Sequence, residues 1–435
     1  MELGDALAYL DRHLNREATA GRIEGLHLDH MRRLMEVLGD PHLSYPAITI
    51  TGTNGKGSVA RMMTALLVES GLSVGTYTSP HLEQLNERLA WNGEPISDEA
   101  LAELISELAA IEPILGITPS WFELMTAGAL SWFAGVAVDV AVLEVGLLGR
   151  FDATTVVDAD VAVITNIGFD HTDGVGDWRA AIASEKAGIV KPGSFLVLGE
   201  TDEALRSIFL AEGPRQTWER EVDFEATRSL AAVGGRLVDI QTPLGRLDEL
   251  YVPVHGEHQA DNAAVAVAAV EAFFGRALDE DVATQAFAGL TIPGRLEVMG
   301  HGPLVIIDGA HNPLGAEVIT VTLAEDFEVV GRRILVVGML EGRDLTAMLE
   351  ALDIGSFDLV VATSPVWARA VPAEVVGEAA AGLGATVDVI DDVTEAVDHA
   401  LLAAGEDGLV LIAGSLYVAG EARSHFAARL RRSPA

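Results

Sequence analysis

Residues 47–58 have the sequence AITITGTNGKGS, in which a β-branched run passes directly into a glycine-rich turn. Residues 59–70 follow with apolar side chains at helical spacing and stop at Gly71, a residue type that commonly ends helices. Between a strand and a helix, the backbone N–H groups of such a turn and the helix N-terminus attract an anion. The stretch therefore predicts a phosphate-binding loop at the edge of an α/β sheet.

Two side chains of this turn have the chemistry of a nucleotide site. Lys56 can reach the terminal phosphates of a nucleotide, and the Ser58 hydroxyl can approach a Mg²⁺ ion bound to them. The spacing departs from the usual G-x-x-x-x-G-K-[ST], because residue 50 is isoleucine and Gly57 separates Lys56 from Ser58. A purely structural turn is the alternative, but the lysine and the hydroxyl favour nucleotide binding.

Strand and helix signals alternate through the first 200 residues. Ser97 is expected to cap a helix over residues 98–111. Strands are predicted at residues 73–78, 138–145 and 161–167. The last two are almost continuously apolar, as expected for parallel strands that are covered on both faces. This alternation predicts a doubly wound α/β sheet.

A different pattern begins near residue 219. Short strand-like segments between glycine turns, at residues 236–240 and 249–254, predict an antiparallel addition, and a helix is predicted over residues 261–274. A second α/β series follows, and we place the boundary between two domains there, with residues 1–296 in the first and residues 297–435 in the second. The candidate strands of the second domain are residues 304–307, 334–337, 359–362, 387–390 and 409–412.

Composition excludes several classes of protein. The 435 residues include 65 acidic and 28 basic residues, which gives a formal net charge of −37. Such a surface repels phosphate backbones and anionic lipids, so we expect neither nucleic-acid nor membrane binding. The chain has no cysteine and therefore no disulfide or thiolate chemistry. Neither a signal peptide nor a membrane span is predicted, and we expect a cytoplasmic protein.

Only three of the 28 basic residues are lysines, namely Lys56, Lys186 and Lys191. Arginine stays charged near neutral pH, whereas a lysine amine can lose its proton and be modified. A retained lysine therefore points to a role that a guanidinium cannot fill, although chance survival in an arginine-rich chain is the alternative. Lys186 is either a plain surface residue or a buried amine that CO₂ carbamylates near a metal ion.

Polar residues also follow two neighbouring predicted strands. Glu144 ends one of them, and Asp170 and His171 follow the next. Because the carboxyl ends of neighbouring parallel strands open onto one crevice, Glu144 and His171 are expected to converge beside the glycine-rich turn. A carboxylate and an imidazole there would hold Mg²⁺; a surface glutamate and a solvated histidine are the alternative.

Motifs between Arg22 and Arg423 together resemble the Mur ligase superfamily, and most closely its folylpolyglutamate synthase / dihydrofolate synthase family. Their number and order are hard to reach by chance. The motifs are TGTNGKGS (51–58), TSPHL (78–82), EVGLLGRFDAT (144–154), TNIGFDHTD (165–173), EKAGIVKPG (185–193), HQADNAAVA (258–266), IPGRLE (292–297), DGAHNP (308–313) and GSLYVAGEAR (414–423).

The resemblance implies a P-loop-containing, doubly wound N-terminal ATPase domain of the Mur ligase central-domain type. It also implies a smaller Rossmann-like α/β domain at the C-terminus, with catalysis in the cleft between the two. GMLEGRD (338–344) departs from the family pattern, since Arg343 stands where a lysine is usual.

The resemblance also implies roles for particular residues. Lys56, Glu144, His171 and Lys186 are the expected catalytic residues, and Lys186 matches the lysine that is carbamylated in many members. Ser79, Glu144 and His171 match the magnesium ligands. The nucleotide contacts are matched by Gly55, Lys56, Gly57, Ser58, Asn262, Arg295 and Asp308. The dihydropteroate-binding segments are matched by Ser120, Trp121, Phe122, Glu123, Phe151, Asp152 and Ala153, and His311 is assigned to glutamate.

The implied reaction is the ATP-dependent addition of L-glutamate to the carboxylate of dihydropteroate or a reduced folate. It passes through an acyl phosphate and gives ADP and phosphate. Phosphoryl transfer of this kind needs positioning and charge neutralisation, which Lys56 and Mg²⁺ would supply. A cell-wall Mur ligase and a non-catalytic nucleotide-dependent switch are the alternatives. Only small-molecule partners are expected, and a monomer.

Overall fold

The structure, a computed structural model, describes residues 1–15, 27–168 and 176–432. Within these ranges it is a mixed α/β protein with three sheets. The first sheet contains β1 Ala47–Thr51, β2 Val74–Tyr77, β3 Leu89–Trp91, β4 Glu94–Pro95, β5 Val140–Glu144, β6 Val161–Ile164, β7 Phe195–Leu198 and β8 Gln216–Glu219. Their spatial order is β4-β3-β2-β5-β1-β6-β7-β8, and all pairs are parallel except β2–β3 and β3–β4.

Helices cover both faces of this sheet, as the apolar runs predict. In β5, Val140 and Val142 point into one apolar core, whereas Ala141 and Leu143 point into another. The helices of this part are α1 Leu3–Leu10, α2 Asp29–Leu38, α3 Lys56–Glu69, α4 Asp98–Leu115, α5 Trp121–Gly135, α6 Trp178–Ala187, α7 Glu203–Leu210, α8 Glu257–Phe274 and α9 Glu280–Ala288.

Three helix boundaries differ from the prediction. Helix α3 begins at Lys56 rather than at residue 59, so the lysine lies in its first turn. Helix α8 begins at Glu257, four residues before the predicted start, so Asn262 lies in its second turn rather than in its first. Helix α4 is capped by Ser97 as predicted but continues to Leu115, where Gly116 ends it at a φ of +70°.

The predicted antiparallel addition is a separate three-stranded sheet. It contains β9 Glu225–Ala232, β10 Gly235–Gln241 and β11 Arg246–Val252 in the order β11-β10-β9. Its apolar residues Val238, Ile240 and Leu250 join the core formed by α3, α8 and the first sheet. The addition therefore packs on the same body as the glycine-rich turn.

A third sheet begins at Glu297. It contains β12 Glu297–His301, β13 Leu304–Ile307, β14 Arg333–Val337, β15 Leu359–Ala362, β16 Val387–Val389 and β17 Leu409–Ala413, in the order β12-β13-β17-β14-β15-β16. Its helices are α10 Pro313–Asp326, α11 Leu345–Ala351, α12 Ala373–Gly382, α13 Val393–Ala404 and α14 Leu416–Arg432. The five predicted strands are present, whereas β12 was missed because none of its residues is buried and Gly300 and His301 interrupt the strand pattern.

We call residues up to 296 the first part and residues from 297 the second part. None of the described helices is long and apolar enough to cross a lipid bilayer.

A buried ion pair joins the two parts. The Arg236 guanidinium of β10 lies 2.7 Å from Oδ1 of Asp326, the last residue of α10, and both side chains are almost fully buried. The second carboxylate oxygen of Asp326 accepts a hydrogen bond from Gly256 N at 2.9 Å, and Arg236 also donates to Ser229 at 2.7 Å. Each charge is therefore paired within the interior, and loss of one partner would leave the other uncompensated.

We expect Asp326→Asn to lower the free energy of unfolding by about 3–5 kcal/mol, because it leaves the Arg236 charge buried beside a neutral amide. The urea midpoint measures the effect. Asp248→Asn is the control, since the Arg246–Asp248 pair is exposed and should change stability by less than about 1 kcal/mol. Equal shifts for the two variants would contradict this account.

Candidate active site

A cavity of about 1830 Å³ lies between the two parts of the chain. The first part contributes the glycine-rich turn, the loops after β2 and β5 and the start of α8. The second part contributes the loops after β13, β14 and β17. A volume well above that of a typical single-ligand pocket leaves room for more than one substrate.

The sheet register brings the predicted residues to this cavity. Ile50 of β1 pairs with Glu144 of β5, and Thr51 pairs with Ile164 of β6. Strands β5 and β6 therefore flank β1, and their carboxyl ends open at the glycine-rich turn. The expected proximity of Glu144 to this turn is confirmed. His171, the other member of the predicted pair, lies outside the described residues.

The glycine-rich turn is held from beneath by the end of β6. Asn54 N donates to Asn166 Oδ1 at 3.0 Å, and Thr165 Oγ1 donates to Asn54 O at 2.6 Å. Gly55, the N-cap of α3, has a φ of +83°, and a Cβ there would lie 2.6 Å from Asn262 Oδ1. Only glycine fits this position, so the turn and the start of α3 form a fixed cradle of backbone N–H groups.

Lys56, Gly57 and Ser58 all line the cavity. The Lys56 amine donates to two carbonyl oxygens of its own turn, Gly52 O at 3.1 Å and Thr53 O at 3.2 Å. The compact ammonium group of Lys56 therefore lies against its own turn, where it would contact an anion bound by the backbone N–H groups.

Ser79 and Glu144 form a buried oxygen-rich corner beside the turn. Glu144 Oε2 accepts a hydrogen bond from Ser79 N at 3.2 Å, and the Ser79 hydroxyl is buried without a hydrogen-bond partner. Burial raises the pKa of the Glu144 carboxyl, and the Lys56 charge opposes that shift. A buried hydroxyl without a hydrogen-bond partner, next to a carboxylate, fits a hard cation such as Mg²⁺. This ion prefers oxygen ligands, and phosphate groups and water supply several of them.

Within the described residues, no cluster of three or more His, Asp or Glu side chains gathers as a self-sufficient metal site. A metal ion bound to Ser79 and Glu144 would therefore need further ligands besides these two residues. Magnesium sites that share substrate phosphates have this composition.

Lys186 is buried, with 6% of its surface exposed, so the interpretation as a plain surface residue is wrong. It lies on α6 and donates from Nζ to Gly52 O at 2.7 Å, the carbonyl that also accepts from Lys56. The two lysines and Gly146 line a small cavity of about 20 Å³, roughly the room that one water needs. Lys191 is only half-buried and does not line either cavity.

The residues predicted to contact the pterin divide into two groups. Ser120, Phe122, Glu123, Phe151, Asp152 and Ala153 line the cavity. Trp121 does not: its ring lies in the apolar core of the first part, with the Arg88 guanidinium 4.7 Å from its centre. The structure therefore does not bring Trp121 to the site, because it lies on the inward face at the start of α5.

The polar members of this group organise their own loops. Asp152 is buried and accepts from Leu147 N at 2.9 Å, Thr154 N at 3.0 Å and Thr154 Oγ1 at 2.6 Å. Burial raises the pKa of its carboxyl. Ser120 and Glu123 form a capping box at the start of α5. The rings of Phe122 and Phe151 thus offer the apolar surface, and Phe151 is 42% exposed.

The second part places Asp308 and His311 on the opposite wall, next to Arg295 at the end of the first part. Asp308 is buried and accepts hydrogen bonds from Leu296 N at 2.8 Å and from Ala310 N at 2.7 Å. It therefore connects the turn that carries Arg295 with the turn that carries His311. Burial raises the pKa of its carboxyl, against the Arg295 charge. Arg343, the departure from the family pattern, also lines the cavity.

An amide pair that the sequence analysis missed connects the two walls. Asn312 Nδ2 donates to Asn54 Oδ1 at 3.0 Å, and Asn54 Nδ2 approaches Asn312 Oδ1 at 3.4 Å. Asn312 also caps α10 by accepting from Gly315 N. Both asparagines stand in motifs that were noted, TGTNGKGS and DGAHNP, but their sequence separation hides the contact.

Two polar residues of the cavity wall, Arg61 and His258, were also missed as site residues. Arg61 lies one turn after Gly57 on α3, and burial lowers the pKa of its guanidinium. Burial and nearby arginines lower the pKa of His258 on α8 to about 4, so its imidazole is neutral near pH 7. Arg61 stands in no motif that would identify it, whereas His258 begins the motif HQADNAAVA (258–266) but was not assigned a role there.

Comparison with known protein families shows which class of enzyme the chain belongs to. Residues 127–270 match the Mur ligase middle domain, and residues 294–416 match the glutamate ligase domain of Mur ligases. The chain is thus a ligase of the Mur type.

Sequence identity to individual relatives shows which family of Mur-type ligases the chain belongs to. The chain is 40% identical to the dihydrofolate synthase/folylpolyglutamate synthase of Mycobacterium tuberculosis, over 92% of this chain and 90% of the relative. The Bacillus subtilis protein of that name is 32% identical, over 91% and 94%. The chain belongs to the dihydrofolate synthase/folylpolyglutamate synthase family and is an ATP-dependent glutamate ligase.

Solved structures agree. A Mycobacterium tuberculosis folylpolyglutamate synthase complexed with ADP and AMPPCP has a TM-score of 0.90 at 38% identity, covering 100% of this chain and 99% of that one. An E. coli FolC structure in complex with DHPP and ADP has a TM-score of 0.87 at 31% identity, with the same coverage. These findings favour the folate ligase over the cell-wall ligase and the switch.

Lys56→Ala should reduce ligation by a factor of about 10²–10³, because it removes a cation from the phosphate cradle. The fold should remain, since only two hydrogen bonds within the turn are lost. Steady-state ADP release measures the rate, and circular dichroism checks the fold. Lys191→Ala is the control with near-normal turnover. A Lys56→Ala enzyme as fast as that control would disprove a phosphate-binding role.

Proposed function

We propose that this ligase adds L-glutamate to the carboxylate of dihydropteroate, a reduced folate or both, through an acyl phosphate. The observation that supports it most is the convergence of the glycine-rich turn, Glu144 and Ser79 in a cleft between two α/β parts. Related structures contain the matching ligands: one holds DHPP and ADP, and another holds Mn, AMPPNP and L-glutamate.

We assign the glycine-rich turn as a P-loop that binds ATP. Its phosphates would lie over Gly55, Lys56, Gly57 and Ser58, and the rest of the nucleotide would contact Asn262, Arg295 and Asp308. We also propose that residues 1–296 and 297–435 are separate domains, the second of Rossmann-like type. The three-sheet arrangement and the change of sheet at Glu297 support this division.

Magnesium would be held by Ser79 and Glu144, with His171 as the third protein ligand. When bound, the ion neutralises charge on the transferring phosphate. The buried and unpaired Ser79 hydroxyl supports the assignment, since such a group otherwise carries an uncompensated desolvation cost.

Residues of the chain position the substrates for two chemical steps, phosphoryl transfer and amide formation. A carboxylate oxygen of the pterin substrate forms a bond to the γ-phosphorus of ATP, and the bond to the leaving ADP oxygen breaks. Lys56 orients the phosphates for this in-line displacement. The amine of glutamate, held by His311 on the second part, then forms the amide bond and loses a proton as phosphate departs.

The pterin would lie against Phe122 and Phe151, with Ser120, Glu123, Asp152 and Ala153 at its edge. A planar heterocycle needs apolar faces and a few polar groups. The two phenylalanine rings supply the faces, whereas Trp121 lies away from this surface.

We also propose that Lys186 is carbamylated. Its neutral amine would form a bond to the carbon of CO₂ and release a proton, which converts a cation into a carboxylate. The Lys186 amine is buried, and the small cavity that Lys186, Lys56 and Gly146 line adjoins the site where the new group would form. The product would support the magnesium site directly or through water.

We propose that the enzyme is active as a monomer. We propose that the enzyme works in the cytoplasm, where ATP and glutamate are available.

ADP release with glutamate and either dihydropteroate or tetrahydrofolate tests the proposal and defines the substrate. Stimulation by dihydropteroate alone, tetrahydrofolate alone or both distinguishes the three forms of the activity. ADP release that does not depend on glutamate and a pterin substrate would overturn it.

Phe151→Ala should weaken pterin binding about two- to tenfold, because a ring contact of this kind contributes about 0.5–1.5 kcal/mol. ADP affinity should change less than twofold, and calorimetry measures both. Tyr251→Ala is a matched control, since Tyr251 is comparably exposed but lies on β11, outside the cavity. Equal losses for the pterin and ADP would place Phe151 in a structural role.

Lys186→Arg should lower ligation by a factor of about 10² or more, because a guanidinium keeps its charge and cannot form the carbamate. Carbon-13 NMR of wild type in labelled bicarbonate should give a carbamate resonance that the variant lacks. Acetate should partly restore Lys186→Ala. Lys191→Arg, the control, should keep both rate and resonance; a fully active Lys186→Arg enzyme would exclude carbamylation as a requirement.

A further inference from the structure

The loop that follows Ser79 is fastened to the second part of the chain by one arginine. Arg423 lies on α14, and its guanidinium contacts Glu83 Oε2 at 2.5 Å and both carboxylate oxygens of Glu297 at 3.0 Å. The neighbouring Ser424 hydroxyl donates to the other oxygen of Glu83 at 2.5 Å. Arg423 is therefore an ion bridge between the two parts.

Each of the two carboxylates belongs to a segment that carries a cavity residue. Glu83 follows Ser79 by four residues in the loop after β2. Glu297 accepts a hydrogen bond from Gly294 N at 2.8 Å and so fixes the turn that presents Arg295 to the cavity. The arginine thus controls where Ser79 lies relative to Arg295.

Backbone packing makes this contact tighter than an ordinary surface ion pair. Gly420 lies one turn before Arg423 on α14, and a Cβ at Gly420 would lie 2.0 Å from Leu82 O. The Leu82 side chain also reaches Gly294, where a Cβ would lie 3.1 Å from it. The loop after Ser79 is consequently seated between α14 and the turn before Arg295.

The negative net charge of the protein increases the importance of the Arg423 ion bridge for holding the two parts together. The chain has a net charge of −37, and the side chains of Arg423, Glu83 and Glu297 are 27%, 20% and 22% exposed. In the described ranges, the other ion pair between the two parts is that of Arg236 with Asp326. Without the arginine, two carboxylates would face each other in a half-buried interface.

We propose that Arg423 is a positioning residue that completes the metal and nucleotide site when the second part docks on the first. It touches neither substrate nor metal; it fixes the Ser79 loop against the Arg295 turn. The catalytic consequence rests on the proposed role of Ser79, whereas the effect on the loop does not.

Hydrogen–deuterium exchange of the ligand-free protein tests the loop directly. Arg423→Gln should accelerate exchange over residues 80–88 and 293–297 about tenfold, because a charge-assisted contact is lost. Arg423→Lys should restore part of the protection. Arg429→Gln is the matched control, since Arg429 lies on the same helix but pairs with Asp398 of the second part, and it should leave both segments unchanged.

The magnesium concentration for half-maximal ligation is the second measurement. Arg423→Gln should raise it about tenfold, and the control should stay within twofold. If Arg423→Gln does not fold, Glu83→Gln removes only the first-part partner and should give the same two changes.

The two measurements separate the two claims. Exchange over residues 80–88 that equals the control would overturn the role of Arg423. Accelerated exchange with an unchanged magnesium requirement would instead overturn the placement of Ser79 at the metal. In the double variant Glu83→Gln/Arg423→Gln, the second substitution should add little, and additive effects would show that the two residues act independently.

Discussion

The hydrogen bond from the Ser79 amide to the buried carboxylate of Glu144 is the contact on which the rest of the site depends. It joins the loop after β2 to the end of β5, its parallel neighbour in the first sheet. The parallel register brings the glycine-rich turn to the same edge, so a carboxylate, an orphaned hydroxyl and a lysine meet within one crevice. Burial makes that carboxylate costly, and a bound cation would offset the cost.

Local patterns predicted the fold because each element carries its own signal. The continuous apolar run of β5, the Ser97 cap and the glycine-rich turn each depend on residues close together in the chain. Strand β12 and the early start of α8 were not predicted, since a partly buried edge strand and a helix beginning in HQADN lack a clear period.

The candidate site was predictable to the extent that its residues stand in contiguous motifs. Motif position placed Trp121 beside Phe122, but the helical rotation at the start of α5 turns one ring into the core and the other to the cavity. The contacts between Asn54 and Asn312 and between Arg423 and Glu83 join residues more than 250 positions apart. No pattern within one sequence reports such pairs.

The Asn54–Asn312 pair has a consequence for how members of this family can recombine. A chimaera that takes its amino-terminal segment from one homologue and its carboxy-terminal segment from another inherits the two partners from different parents. Substitution of either asparagine in one lineage would then be tolerated only with its own counterpart. Compatible crossover points are therefore set by residue pairs across the cleft as well as by the boundary between sheets.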